Sequence, residues 1–100
     1  MDIKAMKQQR DEARAAAAKA REHRKRIEWS DNVEKKSMLD RKAELLDAIA
    51  DSYDARLKRI ESELTRAKNL LLSVTPKNTQ LKKSIAKAVN TISRVLQKCK

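Results

Sequence analysis

Apolar residues recur at alternating spacings of four and three through the middle of this chain. Such spacing is a heptad repeat, which places every apolar residue on one side of an α-helix. It predicts a long helix over about residues 32–74 that packs one face against other helices. The eleven positions, which we call the seam, are Leu39, Ala43, Leu46, Ala50, Tyr53, Leu57, Ile60, Leu64, Ala67, Leu71 and Val74.

Three further apolar residues, Met38, Leu45 and Ile49, immediately precede seam positions and predict a wider apolar face in the first half of this helix. The chain has no Gly and a single Pro, so it lacks the residues that usually punctuate strands and tight turns. Its 100 residues allow at most one small domain. We therefore expect a single all-α domain.

A third helix is predicted after Thr75 and Pro76, over about residues 78–98. Residues before Pro avoid the helical conformation, and Pro suits the first turn of a new helix with Thr75 as its cap. The short connection implies that this helix returns antiparallel along helix 2. Its apolar stripe consists of Leu81, Ile85, Ala88, Ile92, Val95 and Cys99, broadened by Val89 and Leu96.

The first helix is predicted over about residues 3–29, from its alanine content. It carries a basic stripe of Lys7, Arg10, Arg14, Arg21 and Arg24, and helix 2 carries an acidic stripe of Asp40, Glu44, Asp47, Asp51 and Asp54. Antiparallel pairing of the stripes places Lys7 opposite Asp54, Arg10 opposite Asp51, Arg14 opposite Asp47 and Arg21 opposite Asp40.

The residue numbers of each pair sum to 61, so the chain is predicted to fold back midway between them, at Ser30 and Asp31. Asp31 and Glu34 also have the spacing of a capping box, which marks the start of a helix. The alternative is one continuous helix over residues 3–74. We expect an elongated, antiparallel three-helix coiled-coil arrangement, with helices 1 and 3 lying end to end along helix 2.

The net charge of +11 is concentrated at the C-terminal end, because residues 76–100 carry seven basic residues and no acidic one. Clustered positive charges repel one another, which is energetically costly unless they meet a negatively charged partner. One candidate binding surface is therefore the basic face, defined as Lys77, Lys82, Lys83, Lys87, Arg94 and Lys98. A second is the fold-back tip, defined as Lys19, Arg24, Lys25, Arg26 and Trp29.

Several partners fit a basic helical surface. The first is a protein with an acidic surface, which Trp29 would contact as an exposed anchor residue. Trp29 can equally pack against the end of the helix as an apolar staple. Nucleic-acid backbone is the second, without base recognition, because Trp29 and Tyr53 are the only aromatic residues. A membrane is disfavoured because helix 3 lacks aromatic anchors. A solvated face that serves solubility is the bland alternative.

Catalysis is not expected, since the chain has one His, one Cys and no Gly-rich phosphate loop or nucleophile turn. No cofactor or metal ligand set is predicted, and the acidic stripe is better explained by ion pairs.

No apolar run is long enough for a membrane span, so we expect a cytoplasmic protein. A thin helical assembly of this size also favours self-association as a dimer.

The stretch Ala18-Lys19-Ala20-Arg21-Glu22-His23-Arg24-Lys25-Arg26 resembles the arginine-rich helix of lambdoid-phage N antitermination proteins. In that family the motif binds an RNA hairpin. The resemblance covers nine residues. It implies that the chain belongs to a wider class, the small helical accessory proteins with which temperate phages modify host nucleic-acid machinery.

The sequence thus predicts a non-enzymatic docking protein that modulates a nucleic-acid-processing complex through a helical surface with a basic end. The alternative is sequence-independent binding to the DNA or RNA backbone. A structural coiled-coil oligomer is the third interpretation.

Overall fold

Three α-helices make up the secondary structure of the part of the chain that the structure describes. The computed structural model describes residues 2–100, in which α1 spans Ile3–Arg26, α2 spans Val33–Leu72 and α3 spans Thr79–Cys99. The predicted all-α, three-helix class is confirmed. Residues 27–32 and 73–78 connect the helices, and no described residue has a positive φ or a cis peptide bond. Neither connection therefore needs the glycine that the sequence lacks.

The helices form two compact units, and the boundary between the units lies within α2. The N-terminal unit is Met1–Ala55 and contains α1 with the first half of α2. The C-terminal unit is Arg56–Lys100 and contains the rest of α2 with α3. Each unit is thus a pair of helical segments joined by one short connection.

The N-terminal unit is an antiparallel helical hairpin. Arg10, near the start of α1, contacts Asp54 at 3.0 Å, and Arg24, near its end, lies 3.5 Å from Asp40. Early residues of α1 thus meet late residues of this half of α2, so the fold-back is confirmed. The alternative of one continuous helix over residues 3–74 is wrong.

The register of the ion pairs differs in part from the prediction. The predicted pair of Arg14 and Asp47 is present at 3.7 Å. The other contacts join residues whose numbers sum to more than 61, because long side chains on a helix lean toward its N-terminus. In an antiparallel pair this lean adds to the sum for both partners. The observed pairs are Arg10 with Asp54, Arg14 with Asp51 and Asp54, Arg21 with Asp47, and Arg24 with Asp40.

Each helix begins at a side-chain cap. Asp2 caps α1 by accepting a hydrogen bond from the backbone N–H of Ala5 at 2.7 Å. The N–H of Lys35 donates to Oδ1 of Asn32 at 3.0 Å, so Asn32 caps α2 in place of the predicted Asp31. The cap of α3 is Asn78 rather than Thr75, because helical geometry begins only at Thr79. Short polar side chains are suited to this role since they accept the unpaired N–H groups of the first turn.

The seam forms the apolar interface of α2. From Leu39 to Leu71 every seam position is buried or half-buried, whereas Val74 is exposed because α2 ends at Leu72. On α1 the buried positions are mainly alanines, which permit close approach of the two helices. The buried apolar residues of the N-terminal unit are Met6, Ala13, Ala17, Ala20, Ala43 and Ala50.

The wider apolar face predicted for the first half of α2 is not covered. Met38, Leu45 and Ile49 are all exposed. They lie one residue before seam positions and are therefore rotated about 100° around the helix axis. The narrow alanine face of α1 packs on the seam and does not reach that far. These three residues remain at the surface.

In the C-terminal unit, α3 returns along the second half of α2. Leu57 is buried in α2 and Cys99 is buried at the end of α3. Ile85, Ala88, Ile92 and Val95 are half-buried, as the predicted stripe requires, whereas Leu81 at the start of α3 is exposed. This packing leaves the opposite face of α3 to solvent.

Candidate functional site

The two units differ sharply in charge. The N-terminal unit holds 13 basic and 12 acidic residues, a net charge of +1. The C-terminal unit holds 12 basic and two acidic residues, a net charge of +10. Nearly all the net charge of the protein therefore belongs to one unit, and its two acidic residues, Glu61 and Glu63, both precede α3.

Opposite charges are paired within the N-terminal unit. Asp54 accepts hydrogen bonds from Arg14 at 2.7 Å and from Arg10 at 3.0 Å, and these contacts hold its pKa below the ordinary value of 3.8. Asp47 likewise has a lowered pKa because it accepts a hydrogen bond from Arg21. The pKa values of Arg10, Arg14 and Arg21 are raised by the same contacts. These arginines are thus engaged within the fold.

The charges of the basic face, in contrast, are not paired among the described residues. Its six residues are all exposed, and among the residues that the structure describes none of them has an acidic side chain within ion-pair distance. Lys77 lies in the connection before α3, and the other five lie on α3.

Four members of the basic face are aligned. Lys83, Lys87, Arg94 and Lys98 recur at spacings of four, seven and four, which places them on one side of the helix. They extend over about 22 Å at 1.5 Å per residue. The helix presents this side away from its apolar stripe. Lys82 lies nearer the edge of that stripe.

The fold-back tip is brought together only in part. Arg24 is half-buried and lies 3.4 Å from Glu28 as well as 3.5 Å from Asp40. Arg26 pairs with Glu22 at 2.8 Å. Lys25 is exposed beside them, whereas Lys19 is exposed on the side of α1 opposite the buried alanines.

Trp29 lies in the connection between α1 and α2, with 84% of its surface exposed. The interpretation of Trp29 as an apolar staple is therefore wrong. Ile27 is the half-buried apolar residue of this connection. Trp29 is the third residue of a turn in which Ser30 donates its backbone N–H to the carbonyl of Ile27 at 3.0 Å.

Several surface depressions on the described residues are open grooves. One, on the C-terminal unit's part of α2, is lined by the polar residues Lys58, Glu61, Ser62, Thr65, Arg66 and Asn69. Residues 2–100 hold no group of three or more His, Cys, Asp or Glu side chains arranged to bind a metal ion. Within the same range, no helix combines the length and apolarity needed to cross a bilayer.

Comparison with known proteins adds no relative. No protein-family model, no curated protein and no solved structure matches this chain.

Proposed function

We propose that this protein is a non-enzymatic docking module that modulates a nucleic-acid-processing protein complex, and that it binds an acidic protein surface through the basic face of α3. The observation that carries the proposal is the net charge of +10 on the C-terminal unit, with six exposed cations that lack ion-pair partners among the described residues. Unneutralised charge of one sign steers association with a complementary surface.

The contrast with the N-terminal unit supports this interpretation. Where the sequence places arginines opposite aspartates, the fold pairs them, as with Arg14 and Asp51 at 3.0 Å. Among the residues that the structure describes, the cations of α3 have no ion-pair partner. No acidic residue follows Glu63 in the sequence. A face that only keeps a protein in solution normally mixes both signs of charge. The basic face therefore fits a binding role better than a role in solubility.

The link to nucleic-acid machinery rests on the resemblance of residues 18–26 to the arginine-rich helix of N antitermination proteins. In the fold, Arg21, Arg24 and Arg26 of this stretch are engaged in ion pairs. We therefore assign the docking role to the basic face of α3 rather than to this stretch.

Direct binding to a nucleic-acid backbone is the second candidate, favoured by the alignment of Lys83, Lys87, Arg94 and Lys98. Four cations along one side of a helix can contact successive phosphates without reading bases. Both aromatic residues of the chain, Trp29 and Tyr53, lie in the N-terminal unit. The C-terminal unit thus offers no stacking platform, and any such binding is electrostatic.

The test compares the parent with a triple variant, Lys83→Gln, Lys87→Gln and Arg94→Gln, in affinity capture from lysate treated with nuclease. The matched control removes three exposed lysines that lie outside both candidate binding surfaces, Lys4→Gln, Lys35→Gln and Lys58→Gln. We expect the parent and the control to retain the same acidic proteins and the triple variant to lose them. Equal retention by all three proteins would show that the basic face is not the docking surface.

The second candidate is tested by fluorescence anisotropy with a labelled DNA duplex of random sequence over a range of salt concentrations. If backbone binding is the function, the logarithm of affinity falls linearly with the logarithm of salt concentration. The slope should then be shallower for the triple variant by roughly 2.7, about 0.9 for each phosphate that the variant no longer neutralises. Partners that disappear from the capture experiment once nuclease is added would also favour this candidate.

A further inference from the structure

The exposed side of α2 in the N-terminal unit carries a row of large apolar side chains. Met38 is 71% exposed, Leu45 is 57% exposed and Ile49 is 47% exposed. Their spacings of seven and four residues place them on one side of α2 over about 17 Å, or three helical turns. We call this row the outer stripe. A solvent-facing side of a helix is normally polar, and contiguous exposed apolar surface often marks an interaction site.

The outer stripe forms part of an open groove. The groove is lined by the outer stripe, by the half-buried seam residue Leu46, and by the side chains of Arg41 and Lys42. The charged residues of this lining are thus both cations. Neither Arg41 nor Lys42 has an acidic side chain within ion-pair distance among the described residues.

Nearby acidic residues do not neutralise the groove. Asp40 is on the side of α2 that faces α1 and lies 3.5 Å from Arg24. Glu44 does not line the groove. The surface therefore combines apolar side chains at helical spacing with uncompensated positive charge.

We propose that the outer stripe docks an amphipathic helix of a partner protein whose apolar residues are flanked by Asp or Glu. A helix matches the stripe because its own apolar residues recur at spacings of three, four and seven. Acidic flanks match because they would pair with Arg41 and Lys42. This surface belongs to the N-terminal unit and does not depend on the role proposed for the basic face of α3.

Charge also decides against a second copy of this chain as the occupant. Two copies that pack through their outer stripes would bring Arg41 and Lys42 of both chains to the same interface. Like charges placed together at an interface oppose association. A lipid surface is a poorer match because the stripe contains no Trp or Phe to anchor it.

The probe is a fluorescein-labelled synthetic helical peptide with Leu at heptad spacing and Glu on both flanks, measured by fluorescence anisotropy with the full chain. A second peptide has Lys in place of Glu, and a third has the acidic composition in scrambled order. We expect the acidic amphipathic peptide to bind more tightly than either of the others. The scrambled peptide controls for general attraction to the strongly basic C-terminal unit.

Two variants assign the binding to the outer stripe. Leu45→Gln should weaken binding of the acidic amphipathic peptide about tenfold, as expected for a residue at the centre of an interface. The matched control is Leu70→Gln, which changes a similarly exposed leucine of α2 in the C-terminal unit. Since both leucines are exposed, neither change should disturb folding, which circular dichroism would verify.

The role of charge is tested by a double variant, Arg41→Gln and Lys42→Gln, against a control with Lys58→Gln and Arg59→Gln. The first should reduce the preference for Glu over Lys flanks, and the second should leave it unchanged. The proposal is overturned if Leu45→Gln binds the acidic peptide as the parent does. It is also overturned if sedimentation shows a dimer of the parent that Leu45→Gln abolishes, or if anionic vesicles compete the peptide away.

Discussion

Asp54 is the carboxylate most closely engaged by the fold of the N-terminal unit. It accepts hydrogen bonds from Arg14 and Arg10 on the facing helix. Exposed ion pairs contribute little one by one, but two arginines that share one carboxylate favour one position of α1 along α2 over others. A single residue thereby contributes to the register of a whole helix.

Acid should weaken the N-terminal unit through this residue. Because the folded-state pKa of Asp54 is lowered below 3.8, its contribution to stability is present above that pH and is lost as pH falls through the lowered value. Asp54→Asn should lower the melting temperature at pH 7 by a few degrees and flatten the loss of stability below pH 4. Thermal unfolding from pH 2 to pH 7, followed by circular dichroism, measures both effects.

The control for this prediction is Asp31→Asn, which changes an exposed carboxylate outside the ion pairs of the described residues. It should leave the curve of melting temperature against pH nearly unchanged. Parallel curves for the parent and Asp54→Asn in acid would mean that the Arg contacts do not stabilise the fold.

Ala50 tests the close packing of the alanine interface. It is fully buried on the seam of α2, in a region where α1 contributes mainly alanine. A larger side chain there forces the helices apart, so Ala50→Leu should destabilise the protein by about 1–3 kcal/mol. Ala48→Leu, on the exposed side of the same helix, is the matched control. Urea unfolding should separate the two variants, and an equally stable Ala50→Leu would contradict close packing at this position.

Residue-level expectations from the sequence succeeded where one chemical rule dominates. The seam predicted burial from Leu39 to Leu71 because helical period alone fixes that face. The exposure of Leu45 could not be predicted, since it depends on how wide a surface α1 covers. The ion-pair partner of Arg10 was wrong because the lean of long side chains shifts the contact beyond the backbone register.

At the scale of elements, the sequence located both turns but not their details. Ser30 and Asp31 lie within the first connection, and Pro76 lies within the second. The caps were misplaced by one residue at α2 and by three at α3, because several polar residues in each connection can accept the same N–H groups. Local sequence alone does not choose among Thr75, Asn78 and Thr79.

Asn78 provides a test of the second connection. Its Oδ1 accepts the backbone N–H of Leu81 at 2.7 Å, so Asn78→Ala should cost about 1 kcal/mol of stability. Thr75→Ala should cost much less, because α3 begins only at Thr79. Chemical denaturation of the two variants distinguishes these caps. A larger loss for Thr75→Ala would restore Thr75 as the residue that begins the helix.

At the scale of the whole molecule, charge is separated between the units. The N-terminal unit is almost neutral and pairs its opposite charges, whereas the C-terminal unit carries a net charge of +10. The sequence located the basic face of α3 because no acid follows Glu63. It placed Arg24 in the basic stripe that faces α2 but assigned it no partner, and the contacts of Arg24 with Glu28 and Asp40 depend on the geometry of the fold-back.

Salt should therefore act in opposite directions on the two units. Added salt screens the attraction between Arg14 and Asp54 and should loosen α1, but it also screens repulsion among the cations of the C-terminal unit and should tighten α3. Amide hydrogen exchange at 20 mM and 500 mM NaCl, conditions spanning screening lengths of roughly 20 Å and 4 Å, measures both effects in one molecule. We expect faster exchange in α1 and slower exchange in α3 at high salt.

The triple variant Lys83→Gln, Lys87→Gln and Arg94→Gln supplies the internal control for that experiment. It removes three of the charges that repel one another while leaving the ion pairs of α1 intact, so the effect of salt on α3 should shrink and the effect on α1 should remain. Exchange that slows equally in both helices of the parent would show that general stabilisation by salt outweighs the separation of charge. Retention of the full effect in α3 of the triple variant would mean that repulsion involving Lys83, Lys87 and Arg94 is not the source of the salt dependence of α3.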